Sequence, residues 1–196
     1  TSINAAAIAA DLAETNIEVI NDVEAMGRYE VIPEEDIFDI EYWSLEQAKL
    51  GKLDEKSLQG QVVAVTGGGS GIGAATTHIF SRAGAEVAVI DINESHAAEV
   101  AESTEGLAIG CDVTDESAVT DAFDKICQTY GGLDLVVSNA GGAWSGRIGD
   151  IDLDTLRQSF ELNFFAHQTV AKAAVRIMRE QGTGGCLLFN TSKQAV

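Results

Sequence analysis

Several things are scarce in this chain, and each scarcity removes a class of protein. Basic side chains number 12 against 31 acids, a formal charge of −19, so a binder of nucleic-acid phosphates or of an anionic membrane surface is excluded and no nucleic-acid partner is expected. Cysteine occurs three times, at Cys111, Cys127 and Cys186, far apart and without a CxxC pair, which leaves neither a disulfide framework nor a zinc site. No run of about 18 uncharged apolar residues is present and no basic segment precedes an apolar stretch, so neither a membrane span nor a secretory signal is expected. A soluble, cytoplasmic protein is the expectation. Proline occurs once, against a usual share of about 5%. With Thr1 in place of a start methionine, this leads us to expect a piece of something longer.

What is present is 45% hydrophobic side chains, enough to bury a core. The acid is uneven. Residues 1–57 hold 14 acids and 4 bases, whereas residues 58–196 hold 17 and 8, so the first part has about twice the charge density of the second. We place a boundary there: a helical extension with a linker over 1–57, the expected tail of a preceding domain, and a nucleotide-binding domain over 58–196. Within the extension, Ile3, Ile8, Leu12, Val19, Val23 and Met26 recur at mostly helical spacing up to Gly27, which predicts one long amphipathic helix. Ser44-Leu45-Glu46-Gln47 reads as a capping box opening a short helix that Gly51 can end.

From Gln61 onward, apolar runs alternate with helical segments, the pattern of βαβ units and a parallel sheet covered on both faces. Strands are expected at 62–66, 86–90, 107–111, 134–138 and 185–190. Helices are expected at about 71–83, 94–103, 115–130 and 153–181, with Asn93 and Thr114 as caps.

The first strand runs into Thr66-Gly67-Gly68-Gly69-Ser70-Gly71-Ile72-Gly73 and an alanine-rich helix. Gly67 lets the chain leave the strand sharply, Gly71 lets backbone N–H groups approach a diphosphate, and Gly73 lets the helix pack closely. The free N–H groups around Ser70 and Ile72 then suit phosphate oxygens. The next strand ends at Asp91, 18 residues after Gly73, where a carboxylate can accept from both hydroxyls of an adenosine ribose, with Ile92 beside it. A 2′-phosphate would be repelled there, with no adjacent arginine to attract it. The expected cofactor is therefore NAD rather than NADP.

These residues resemble the short-chain dehydrogenase/reductase family, whose cofactor turn reads Thr-Gly-x-x-x-Gly-x-Gly. Further matches follow in order. Cys111-Asp112-Val113 is similar to the family's element after the third strand, and the resemblance implies that Asp112 addresses the adenine and Val113 flanks it. Ser138-Asn139-Ala140-Gly141 resembles the Asn-Asn-Ala-Gly element after the fourth strand, with Ser138 replacing the first Asn; Asn139, Ala140 and Gly141 are assigned to the cofactor. Asn163, in Glu161-Leu162-Asn163-Phe164, matches the helix asparagine that the resemblance implies holds a proton-relay water. The implied fold is α/β, a Rossmann-type doubly wound parallel sheet that stops after its fifth strand, and the implied assembly is a homo-oligomer.

The resemblance also exposes a departure. Family members carry Tyr-x-x-x-Lys after the fifth strand, and no such spacing occurs in these 196 residues. Asn190-Thr191-Ser192-Lys193 stands where the family has its catalytic serine; strict register points to Lys193, and Ser192 is the adjacent hydroxyl, expected to polarise a substrate carbonyl. No metal-like grouping involves His78, His96 or His167, so structural or solvated roles are expected for them. Trp144 and Arg147 could line a substrate pocket. Phe38 to Leu50, ahead of such a turn, resembles the junction in bifunctional enzymes that join a sugar-phosphate aldolase to a short-chain dehydrogenase. The expected activity is hydride exchange between NAD and a small alcohol or carbonyl compound, such as lactaldehyde. The alternatives are a non-catalytic NAD-binding remnant or a part of an aldolase/dehydrogenase.

Overall fold

The computed structural model describes residues 3–33, 36 and 56–192; the capping box at Ser44, the Phe38–Leu50 junction and Lys193 lie outside them. The chain divides into two compact units, Thr1–Ser57 and Leu58–Val196.

In the first unit, helix α1 spans Ile3–Met26. Its large apolar side chains Ile8, Leu12, Val19 and Met26 are all exposed, on the arc opposite Glu14 and Glu18 that the 3.6-residue period gives.

The second unit is a five-stranded parallel sheet. Its elements alternate as β1 (Val62–Thr66), α2 (Gly71–Arg82), β2 (Glu86–Asp91), α3 (Glu94–Thr104), β3 (Leu107–Gly110), α4 (Glu116–Tyr130) and β4 (Leu135–Ser138). A helical stretch follows as α5 (Leu153–Phe160), a π-type turn (Glu161–Phe165) and α6 (Ala166–Gln181), before β5 (Cys186–Phe189). The strand order is β3-β2-β1-β4-β5, with Val63 paired to Val87 on one side and to Leu135 on the other. Order reverses at β1, which places a crevice at the carboxyl ends of β1 and β4.

Burial explains why the strands read as unbroken apolar runs. Every residue of β1 is buried, because helices cover both faces of the sheet. Val63, Val65, Val87 and Val137 pack with Phe80 of α2 on one face, and Val89 packs with Ala97 and Ala101 of α3. On the other face Val62, Ala64, Ala88 and Ile90 meet Phe123 and Ile126 of α4 and Val170, Ala174 and Ile177 of α6. Alternate residues of each strand therefore serve opposite layers.

Three expectations change in detail. The fourth helix starts after Asp115, whose carboxylate accepts from Ser117 N and Ala118 N; Thr114 is instead bonded, through its amide and hydroxyl, to Asp112 Oδ1. The continuous helix expected over 153–181 is interrupted by the π-type turn, a feature that often marks a functional site. Strand β3 ends at Gly110, one residue early, where the chain turns toward Asp112.

Candidate functional site

The site is built where β1 meets α2. Gly67 has φ +63°, a left-handed turn that a side chain resists. Gly73 is a close-approach position: a Cβ there would collide with the Gly67 carbonyl and lie 2.8 Å from Asn139 Nδ2. The helix start thus folds back onto the turn itself, which leaves the first helical turn, with its free N–H groups, at the crevice that Ser70, Gly71 and Ile72 line.

Asn139 ties this turn to the neighbouring strands. Its amide N–H donates to Thr66 Oγ1 at 2.9 Å, and its Nδ2 donates to the Thr66 carbonyl at 3.0 Å. Asn190, just past β5, donates through Nδ2 to Asn139 Oδ1 at 2.7 Å. The ends of β1, β4 and β5 are therefore locked by one side chain. Thr66 also accepts from Ala140 N and is fully buried. Thr66 and Gly73, both expected to bind cofactor, hold the site and do not line it.

At β2, Asp91 accepts from Gly69 N at 2.9 Å through Oδ2 and from Asn93 N at 3.0 Å through Oδ1. It orders the glycine turn and keeps its remaining lone pairs toward the crevice. A cavity of about 1040 Å³ opens at these strand ends. The structure brings the other expected residues together along it: Gly67, Ser70, Gly71 and Ile72 from the turn; Asp91, Ile92, Asp112 and Val113 beyond β2 and β3; Asn139, Ala140 and Gly141 after β4; and Asn163 and Ser192. Among the described residues, no lysine or arginine lines it. Trp144 and Arg147, considered as pocket residues, stand outside the lining; Arg147 is exposed.

Asn163 lies inside the π-type turn, and its side chain is bonded to the loop after β4. Nδ2 donates to the Gly142 carbonyl at 2.8 Å, and Oδ1 accepts from Gly142 N at 3.0 Å.

Other lining residues were not assigned to the site from the sequence: Phe160, directly before the π-type turn, Phe164, within it, Asn190, and His167. His167 Nδ1 stands 2.6 Å from Ser138 Oγ, and burial lowers its pKa. The hint available was that His167 follows Asn163 by four residues, on one helical face. Tyr130, the tyrosine nearest the domain's end in sequence, lies away from the site: its hydroxyl donates to the Val87 carbonyl at 3.5 Å near the amino end of β2, and burial pushes it up to about 12.

A parallel sheet, a glycine turn at its reversal point and an acid at the end of the second strand define a nucleotide-binding α/β domain. The short chain dehydrogenase family profile matches residues 61–196, and the chain belongs to that family. Residues 1–50 match the second domain of class II aldolases. YuxG, an uncharacterized oxidoreductase of Bacillus subtilis, is 32% identical over 92% of this chain and 27% of its own length. Short chain aldehyde dehydrogenase 1 of Euphorbia lathyris is 36% identical over 71% of this chain and 50% of its own. The chain thus spans half or less of these curated relatives. Among solved structures, a 7α-hydroxysteroid dehydrogenase complexed with NADH and 7-oxo glycochenodeoxycholic acid superposes with a TM-score of 0.67 at 31% identity, over 72% of this chain and 57% of that one.

Proposed function

We propose that the crevice holds NAD(H) and that the protein carrying this chain exchanges a hydride with a small alcohol or carbonyl compound. The observation that carries the reading is a single cleft that joins the glycine turn, Asp91 and Asp112. The cradle fits a dinucleotide because the space a Cβ at Gly73 would need is filled by the turn, so the N–H groups around Ser70, Gly71 and Ile72 face a diphosphate. Asp91 would take the ribose hydroxyls and repel a 2′-phosphate, and Asp112 with Val113 would flank the adenine. The coenzyme, when bound, supplies the hydride acceptor or donor. Ser192 would donate to the substrate oxygen, and the Asn163 main chain would hold a water for proton transfer.

Titration of the purified chain by NADH fluorescence tests this: NADH binding at least about tenfold tighter than NADPH is expected, and equal affinities would remove the role of Asp91.

A second reading concerns the whole protein. The aldolase match over residues 1–50 and the YuxG match, which covers more of the chain than the second unit alone supplies, support a bifunctional aldolase/dehydrogenase. A hydroxyaldehyde such as lactaldehyde would then be the dehydrogenase substrate. In the full protein, metal-dependent carbon–carbon cleavage beside NAD(H)-dependent hydride exchange with the aldehyde is the expected pair of activities; hydride exchange without cleavage would leave the non-aldolase reading. We further propose a homo-oligomer in a reducing cytoplasm, in keeping with three free thiols and with exposed Phe160, Phe164 and Phe189.

A further inference from the structure

The contact between Ser138 and His167 joins elements 29 residues apart and has no counterpart in the motifs read from the sequence. Ser138 is the last residue of β4 and is buried. Its hydroxyl has His167 Nδ1, at 2.6 Å, as its side-chain partner, and the Ser138 carbonyl accepts from Asn190 N at 3.0 Å. If Nδ1 carried the proton, it would donate to Oγ and leave the buried hydroxyl hydrogen without an acceptor, at a cost of about 1–3 kcal/mol. The arrangement that satisfies both groups has Ser138 O–H donating to an unprotonated Nδ1, with the ring neutral and its proton on Nε2.

We infer that His167 is a positioning residue of this cleft: as a neutral imidazole it accepts the buried Ser138 hydroxyl and fixes the end of β4 against the helical segment that carries Asn163. The consequence reaches the cleft along two routes. Asn139, directly after Ser138, holds the glycine turn and Asn190, and Asn163, one turn before His167, holds Gly142. Protonation of His167 removes the acceptor and orphans the hydroxyl, so both routes loosen together. The groups facing the ring are Ser138 from β4 and the edge of Phe189 from β5, with centroids 6.1 Å apart. Burial is the cause of its lowered pKa, with no charged neighbour contributing. Among the described residues, the cleft's other ionisable groups are Asp91, at the end of β2, and Cys111 and Asp112, just after β3, and both strands lie on the opposite side of β1 from β4 and β5.

The sign follows. A histidine whose folded pKa is depressed favours the folded arrangement above its unfolded value of about 6.5, and that contribution is lost as pH falls below it.

The inference rests on the coenzyme reading above, and two measurements keep the two apart. In the ligand-free chain, ring 15N shifts of His167 are expected to show an unprotonated Nδ1 that moves when Ser138 is changed to Ala; an Nδ1–H ring, or one indifferent to Ser138→Ala, overturns the inference whatever the chain binds. NADH affinity is then read between pH 7.5 and 5.5, where carboxylates do not titrate. The unaltered chain is expected to lose affinity on acidification, by less than the roughly tenfold that a histidine at the ordinary value of about 6.5 would give over this range. His167→Gln, whose amide oxygen can accept the same hydroxyl, is expected to recover most of the affinity that His167→Ala loses and to flatten the profile. A slope that persists in His167→Gln belongs to another group and overturns the assignment to His167. NADH that fails to bind at either pH, with the expected ring 15N shifts, overturns the coenzyme reading while the hydrogen bond stands.

Discussion

Asp91 carries two tasks with one carboxylate, since it bonds the Gly69 and Asn93 amides while facing the cleft. Replacing it by Ala should weaken NADH about tenfold or more and lower the preference for NADH over NADPH, because both coenzymes lose the ordered turn but only the unphosphorylated ribose also loses acceptors. Paired fluorescence titrations decide it, and an unchanged NADH/NADPH ratio would refute the assignment. Gly73→Ala should be far more harmful than its one methyl suggests, because the Gly67 carbonyl occupies that space; loss of NADH binding with a clear drop in Tm is expected, and a variant with normal affinity would show that the turn can move aside. Thiol chemistry gives a third test at this scale. Burial, aided by Asp112 and Asp115, pushes the Cys111 thiol up to about 11, whereas Cys186 is exposed. At pH 8, alkylation of Cys186 should outpace that of Cys111 by at least about tenfold, which peptide mass mapping would show. The glycine turn and Asp91 were legible in the sequence because their geometry is local. The Ser138–His167 bond was not, since nothing in a linear pattern places the end of one strand beside a ring 29 residues later.

Strand positions followed from the apolar runs because burial on both faces leaves no room for polar alternation. Helix starts were less legible. Thr114 and Asp115 are both good caps, and the choice falls to Asp115 because Asp112 captures the Thr114 amide and hydroxyl first. Asp115→Ala should therefore lower Tm by about 2–4 °C, with Thr114→Ala well below that; the reverse order in thermal melts would return the cap to Thr114. The amides they accept hold Asp115 and Asp152 below the usual carboxylate range. Their caps thus act above the unfolded value of about 3.9 and fail as pH falls through the lower folded values. The break at Glu161–Phe165 could not be read from helical periodicity, which runs through it. It accompanies the paired hydrogen bonds between Asn163 and Gly142, a contact that exists only once the loop after β4 has folded back.

The two units differ in how they are held. Among the described residues, the buried core lies wholly between Val62 and Met178, and α1 presents its apolar stripe exposed. The second unit begins where Leu58 donates to the Ala83 carbonyl and packs beside Val63 and Val65, so Leu58 belongs to the sheet domain's packing. The acid-rich composition of residues 1–57 and the aldolase match there fit a segment whose packing belongs to another domain's logic. We therefore predict that a chain beginning at Leu58 unfolds in one cooperative transition and binds NADH within about twofold of the 196-residue chain. A chain beginning two residues later, at Gly60, loses both the Leu58 bond and its packing and should melt at lower temperature. Calorimetry of the three chains with NADH titrations decides the boundary: a large loss of affinity on removing residues 1–57 would mean that the first unit completes the site, and the two-unit division would have to be abandoned as a description of function.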